Sequence, residues 1–549
     1  MKINRVLTAI LAMGLLFALS GCSAGASQEN PAKVGGKIAY PLPDDPEQMN
    51  PTLNTYSRSS FVLQQLFRGL YKFDRENHLV PALAESHTVD ESGAVYTFKL
   101  RAGLKWSDGS PLTAHDFEFA WKHLLDPKTV SGAVSDMYVI KNAREYNEGK
   151  ASAADVGISA TDALTLRVTL NGVTPWFLSQ TATTTYMPVS KAAVEKYGLD
   201  WAKSAEHYVS SGAFMLTSMN SKDKISMVKN PNYYAADEVK IGAVDFVIIP
   251  DEETQFIAFE NGELSVTNQN LTPQMREKYA KTNQISAWPR IGVRFIDFNT
   301  VTAPFDDARV RRALALSINR QSLMDNIVRT DEKVLYGFTP YGQPSLTDPS
   351  KEFRDVCGAV YKEDVEAAKK LLADAGYPDG KGFPVFRLAC QVLQIQKDMA
   401  QALQHMWKQS LNIDCEIITY EKGFWDELAA GNFEVAFSGW TGDYPDPDTN
   451  LKIWAIGGND IECAWNKPRS DGSYQDTQKH YDGIISATRK TADPAERERL
   501  FIEAEKYLAE VMPSAPLYSY TDFIITQPNL HGVQKNYIGH INLEFAYFD

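Results

Sequence analysis

Residues 96–117 read Tyr96-Thr97-Phe98-Lys99-Leu100-Arg101-Ala102-Gly103-Leu104-Lys105-Trp106-Ser107-Asp108-Gly109-Ser110-Pro111-Leu112-Thr113-Ala114-His115-Asp116-Phe117. Tyr96, Phe98 and Leu100 alternate with Thr97, Lys99 and Arg101, the period of a strand buried on one face. Trp106-Ser107-Asp108-Gly109 then makes a turn. Thr113 with Asp116 three residues on is a capping pattern for a helix that carries Phe117, Trp121 and Leu124 and stops at Asp126-Pro127. Strand, turn and helix follow one another closely, and none of them holds a catalytic group. This is scaffold of a mixed α/β protein.

The same pattern extends outward. Lys37-Ile38-Ala39-Tyr40 reads as a strand just after Gly36, and Phe61, Leu63, Leu66, Phe67 and Leu70 give a helical face ending at Leu70-Tyr71. Leu164, Leu166, Val168 and Leu170 alternate as a strand, Ala243 to Ile249 is a more continuously apolar one, and Arg309 to Leu316 begins a helix. A later helix places Val365, Ala368, Leu372 and Ala375 on one face and ends at Gly376. Cys390 and Cys415 fall in strands that bracket the next helix. Asp493-Pro494-Ala495-Glu496 is a capping box for the last long helix, with Phe501, Ala504, Leu508 and Val511 inward.

The N-terminus reads as an address. Lys2 and Arg5 precede an apolar run from Val6 to Leu19 that is too short to span a bilayer stably, and Leu19-Ser20-Gly21-Cys22 closes it with small residues before a cysteine. It resembles a lipoprotein signal, 1–22, with Cys22 as the lipidated residue, followed by a flexible tether, 23–35. The rest is expected outside the cytoplasm, anchored to the cell membrane through the lipid. The 549 residues are 44% hydrophobic, enough for two or three domains. A net charge of −14 excludes a nucleic-acid partner as an expectation. Cys357, Cys390, Cys415 and Cys463 lack zinc spacing and are read equally as disulfide partners or buried thiols.

One loop carries chemistry. Phe433-Glu434-Val435-Ala436-Phe437-Ser438 reads as a strand that is broken by Gly439-Trp440-Thr441-Gly442-Asp443-Tyr444-Pro445-Asp446-Pro447-Asp448. Asp443, flanked by Trp440 and Tyr444, suits a site that holds an ammonium group among apolar faces. An acidic solvated turn is the alternative.

Taken together, Ala84-Glu85-Ser86 through Asp116-Phe117, Lys141-Asn142-Ala143 with Tyr146-Asn147-Glu148-Gly149-Lys150, Asn230-Pro231-Asn232-Tyr233-Tyr234, Pro304-Phe305-Asp306-Asp307-Ala308-Arg309-Val310-Arg311-Arg312-Ala313-Leu314 and Pro516-Leu517-Tyr518 resemble the extracytoplasmic solute-binding proteins of peptide ABC importers. That resemblance covers nearly everything after the tether. It implies the large two-lobed periplasmic-binding-protein fold, with mixed sheets, a two-strand hinge and a ligand cleft between the lobes. Lobe I is expected at 36–71 with 190–290 and 511–549, an inserted subdomain at 72–189, and lobe II at 291–510.

In that family the aspartate of the Gly-Trp-x-x-Asp-Tyr loop holds a peptide's free α-amino group, which falls here on Asp443. The resemblance further implies main-chain contacts at Gly439 and Thr441, pockets lined by Phe295, Trp440, Tyr444, Tyr518 and Tyr520, and a role for Asn299, whether at the ligand or in the hinge backbone. The expected partners are a peptide and the permease subunits of an ABC importer, with no cofactor, no metal and a monomeric chain. Phe437 stands where many relatives have an arginine, Ser265 where they have an acid, and Ala133 where they have a cleft aromatic. Ligand length and side-chain preference are therefore open.

Rival readings remain. The same fold could take a murein-derived peptide, a peptide pheromone or another ligand such as a metal chelate, an opine or haem. An extracellular hydrolase is remote, because after the signal segment and tether no Gly-x-Ser-x-Gly elbow and no His-Glu-x-x-His occurs, and the nine histidines are scattered. A calcium site at Asp443, Asp446 and Asp448 lacks an EF-hand pattern.

Overall fold

In the computed structural model, which describes residues 35–267, 271, 273–329, 332–456, 463–468 and 472–549, two long strands carry the architecture. Ile285–Phe298 and Ser514–Ile525 pair antiparallel, from Ile285 opposite Ile525 to Asp297 opposite Ser514, with register shifts after Pro289 and Arg294. Each belongs to both lobes. Phe523 and Ile525 pack with Phe259, Leu264 and Tyr279, whereas Val293, Phe295, Ala515 and Leu517 lie in the second large core. The signal segment, Cys22 and the tether up to residue 34 fall outside the described residues.

Lobe II is a five-stranded sheet ordered Cys415–Tyr420, Phe386–Gln391, Val435–Thr441, Ile285–Phe298, Ser514–Ile525. The first three run parallel because helices Gln394–Leu411 and Phe424–Ala429 make the crossovers, and the hinge strands join antiparallel. Lobe I has the sheet Lys37–Leu42, Ala243–Ile248, Lys224–Lys229, Phe214–Asn220. A second sheet, ordered Ala84–Val89, Val95–Leu100, Thr165–Thr169, Ile158–Asp162, lies in the segment between residues 72 and 189. Its residues Phe98 and Leu166 share one continuous core with Ile38, Phe246 and Ile524. The Thr113/Asp116 box is formed, with the Thr113 amide donating to Asp116 Oδ2 at 2.8 Å.

Several boundaries differ from the sequence reading. The helix expected to reach Leu70 is Ser57–Leu66; Phe67 and Leu70 are still buried, but beyond the helix, so their apolar spacing reflects tertiary burial and not helical period. The strand expected to break at Gly439 continues to Thr441. Met512, Ala515, Leu517 and Tyr518 pack in the lobe II core, so the tail returns to lobe I later than residue 511. Asp493 caps the last helix through the Ala495 amide, but Glu496 turns away to Arg499. Cys357, Cys390, Cys415 and Cys463 are free thiols, and burial raises Cys415 to about 12.

Gly439 is explained by the hinge. Opposite Arg294 in the ladder, it lies under Tyr520, and a Cβ there would collide with the Tyr520 hydroxyl and sit 2.9 Å from the Val293 carbonyl oxygen. Gly439→Ala is expected to lower stability by about 1–3 kcal/mol through overpacking, read as a shift of the urea unfolding midpoint. An unchanged midpoint would mean that Tyr520 moves aside freely.

Candidate ligand-binding site

The strand Val435–Thr441 delivers the loop. On one edge it pairs throughout with Ile285–Phe298, and on the other only Val435 and Ala436 pair, with Leu388 and Ala389. From Phe437 to Thr441 that second edge has no sheet neighbour among the described residues. Beyond it the Gly442 amide donates to the Ile291 carbonyl at 2.7 Å and the Asp443 amide to Thr449 Oγ1 at 2.8 Å. Asp443 is thus held at the backbone while its side chain keeps 54% of its surface exposed.

The neighbours of Asp443 come from the loop's return. Helix Asp448–Leu451 leads into the turn Lys452–Trp454, and Lys452 Nζ donates to Asp443 Oδ2 at 3.0 Å while lying 5.0 Å from the centre of the Tyr444 ring. A primary ammonium therefore already rests on this carboxylate. Trp440 donates from Nε1 to the Thr449 carbonyl at 2.9 Å, which fixes its indole against the loop.

Asp446 and Asp448 serve the loop itself. Arg497 binds Asp446 with two nitrogens at 2.9 and 3.0 Å, both side chains being buried. Arg489 and the Tyr444 hydroxyl bind Asp448 at 2.9 and 2.8 Å. Their oxygens are committed to arginines, so the three acids do not form a cation cage. Among the described residues one group lies close enough together for a metal, Asp74, Glu76 and His78, with ligand atoms within 4.8 Å of one another. There Asp74 Oδ1 accepts the Glu76 and His78 amides at 2.9 and 2.8 Å, as an ordinary Asx turn does.

The lobes touch beside Asp443. Trp176 of lobe I stacks on Tyr444 with ring centres 5.6 Å apart and planes 7° from parallel. Arg489 and Arg497 lie 5.9 and 5.7 Å from its ring. One lobe I indole is enclosed by three lobe II side chains, an aromatic and cation–π contact that desolvation strengthens. A separate interlobe space of about 400 Å³, bordered by Arg75, His78, Trp288, Gln343 and Glu352, does not include Asp443.

The structure sorts the residues expected at the ligand. Trp440, Thr441 and Tyr520 are partly exposed near Asp443's strand. Phe295 is a correction: it has no exposed surface and packs against Trp454, because its position in the ladder points it into the lobe II core. Asn299 is buried, donating to the Gly431 and Phe433 carbonyls at 3.1 and 2.9 Å, which makes it a backbone clasp. Tyr444 is buried as a loop and interlobe contact. Tyr518 is buried beside Arg294; burial disfavours its phenolate more than the Arg294 guanidinium favours it, so its pKa rises to about 12. Phe437 is wholly buried in the lobe II core. Lys452, Trp176, Arg489 and Arg497 were missed, and only the surplus of acids in the loop signalled that arginines must come from elsewhere.

Removing Arg497 leaves a buried charge. Asp446 is held above the usual carboxylate range by burial, which outweighs the opposing Arg497. Arg497→Ala is expected to cost about 3–5 kcal/mol at neutral pH. A carboxyl with a raised folded pKa loses folding stability as pH rises through its unfolded value, so this cost should shrink in acid, where Asp446 is protonated. Urea titrations at pH 4 and pH 7 check it; an equal cost at both would contradict the assignment.

A family model described as bacterial extracellular solute-binding proteins, family 5 Middle, matches residues 78–461. The chain is similar to the oligopeptide-binding protein OppA of Bacillus subtilis (strain 168), 31% identical over 98% of this chain and 99% of that protein. Among solved structures it is similar to the unliganded open form of the periplasmic murein tripeptide-binding protein MppA, with a TM-score of 0.77 and 28% identity over 94% of this chain and 99% of that one. It is also similar to Haemophilus influenzae OppA in complex with the peptide RPPGFSPFR, with a TM-score of 0.72 and 27% identity over 94% and 99%.

Proposed function

We propose, from the premise that this chain belongs to family 5 of the bacterial extracellular solute-binding proteins, that it is a receptor capturing oligopeptides between its lobes. The free N-terminal amine is held by Asp443, and the closed complex is handed to the permease of an ATP-driven importer. The observation that carries the reading is the ion pair of Asp443 with Lys452 at 3.0 Å: a fixed, half-exposed carboxylate beside the interlobe contact, in a setting that accommodates a primary ammonium. The open edge from Phe437 to Thr441 supports the rest, since an extended peptide can add to it as a strand and gain main-chain hydrogen bonds without reading side chains.

Closure follows from differential contact. A ligand that touches both lobes favours the closed form by the contacts it makes only there. The protein itself spends no bond energy and catalyses nothing; ATP is used by other subunits. Lipid on Cys22 tethers the monomer to the membrane and keeps it near the permease. Murein-derived peptides are a second reading of the same site, favoured by the likeness to MppA, because they too present an amine.

Calorimetry on the full-length protein in detergent tests this, using mixed peptides with free or acetylated N-termini on wild type and Asp443→Asn. Free-amine peptides are expected to bind, and acetylation and the substitution each to cost about 2 kcal/mol or more as a charge-assisted contact is lost. No binding, or no effect of acetylation, would overturn the peptide reading.

A further inference from the structure

Trp176 and Phe177 are adjacent in sequence and are buried by opposite lobes. Phe177 opens the short helix Phe177–Gln180, has no exposed surface and packs against Tyr96, Phe98 and Tyr186 in the lobe I core. The backbone there is fixed, since the Trp176 carbonyl accepts from the Ser179 amide at 3.1 Å and from Ser179 Oγ at 2.7 Å. Trp176 keeps only 8% of its surface exposed, yet it belongs to neither large core. The ring contacts described for it, with Tyr444, Arg489 and Arg497, all come from lobe II. An indole left out of its own lobe's core is buried by the other lobe, so parting the lobes returns its apolar surface to water at a cost in free energy.

The lobe II side of this contact is held by lobe II alone. The Tyr444 hydroxyl donates to Asp448 Oδ2 at 2.8 Å, Arg489 Nε donates to Asp448 Oδ1 at 2.9 Å, and Arg497 holds Asp446 through two nitrogens. None of these bonds uses a lobe I atom. The ring and the two guanidinium groups are therefore already placed, and little side-chain freedom remains to be lost when Trp176 docks on them. A neighbouring contact has the same character. A methyl group built on Gly93, in the turn between strands Ala84–Val89 and Val95–Leu100, would lie 3.3 Å from Val173 Cγ2 and 4.0 Å from Ala492 Cβ. That turn and the chain leading to Trp176 thus lie against the segment of lobe II that enters helix Pro494–Val511.

We infer that Trp176 is a clasp between the lobes: an indole of lobe I seated on a fixed lobe II platform, which favours closure whatever the ligand and so sets the receptor's affinity without setting its selectivity. This rests on the peptide reading and deepens it. Asp443 discriminates among ligands by their amine, whereas Trp176 acts only on the balance of open and closed forms. Where the closed form is the minor one, the apparent affinity of every ligand scales with the closed fraction. Closing energy supplied by the protein's own side chains adds to whatever contacts a peptide makes, so peptides of different sequence gain from it equally. Trp176 is a positioning residue: it brings lobe I against the loop that carries Asp443 and does not itself touch the peptide.

The test pairs two readouts on the full-length protein in detergent. Spin labels on Leu199→Cys of lobe I and Val385→Cys of lobe II, both at exposed positions, report the interlobe distance by double electron–electron resonance. Calorimetry reports the affinities of a free-amine tripeptide and its N-acetylated form. Trp176→Ala is expected to lower the ratio of closed to open form in the peptide-free protein by about three- to tenfold, the range for one aromatic contact, and to weaken both peptides by that same factor. Trp176→Phe, which keeps a ring on Tyr444, should stay within about twofold of wild type in both readouts. Weakening of the free-amine peptide alone would overturn the clasp, because Trp176 would then serve the amine site. Unchanged distances or unchanged affinities in Trp176→Ala would overturn it too, and leave the peptide reading standing. If wild type binds neither peptide, the peptide reading falls, and the distances in the peptide-free proteins still decide the clasp.

Discussion

The antiparallel pairing of Ile285–Phe298 with Ser514–Ile525 is the constraint on which the molecule depends. A strand is stiff along its hydrogen-bonded ladder, and these two pass from one core to the other without ending. Their register shifts after Pro289 and Arg294 fall where the strands leave lobe I and enter the lobe II sheet. Interruptions of this kind raise local twist and break the regularity of the ladder at the crossing. The next strand inward, Val435–Thr441, is aligned on the same ladder, so the position of Asp443 is inherited from the hinge.

The loop after that strand is held by charge. Asp446 and Asp448 lie buried, and a buried carboxylate is tolerated only with a cation and hydrogen bonds to it. Arg497, Arg489 and Tyr444 provide these. Two acids are spent on the loop's shape so that the third is displayed. The same arginines extend over Trp176, so groups that brace the loop also contact the opposite lobe. Stability of the loop and contact between the lobes are therefore coupled through shared side chains.

Much was legible in the chain where the signal is local. Alternation of Tyr96, Phe98 and Leu100 gave Val95–Leu100, the spacing of Thr113 and Asp116 gave a formed cap, and Cys390 and Cys415 lie in the strands that bracket Gln394–Leu411. These patterns read as mixed α/β, and the two-lobed fold was implied by the resemblance to the solute-binding proteins. Aromatic residues were read less well. Phe295, expected at the ligand from the resemblance, and Tyr444, beside Asp443, are both buried, since an apolar ring near a site is as useful to the core as to the cleft. Gly439 looked like a strand breaker and is instead the residue that makes room for Tyr520.

By itself the sequence determined the type and rough place of many strands and helices, and that an acidic, aromatic loop lies near the end of a strand, because each of these is set by residues a few positions apart. Only the tertiary structure decided which of Asp443, Asp446 and Asp448 are buried against arginines and which keeps an exposed side chain, paired with Lys452. Arg497 stands 51 residues from Asp446 and Arg489 41 from Asp448, and Trp176 comes from the other lobe. Whether a charge is spent or available depends on its partners in space, and separation along the chain carries no record of them.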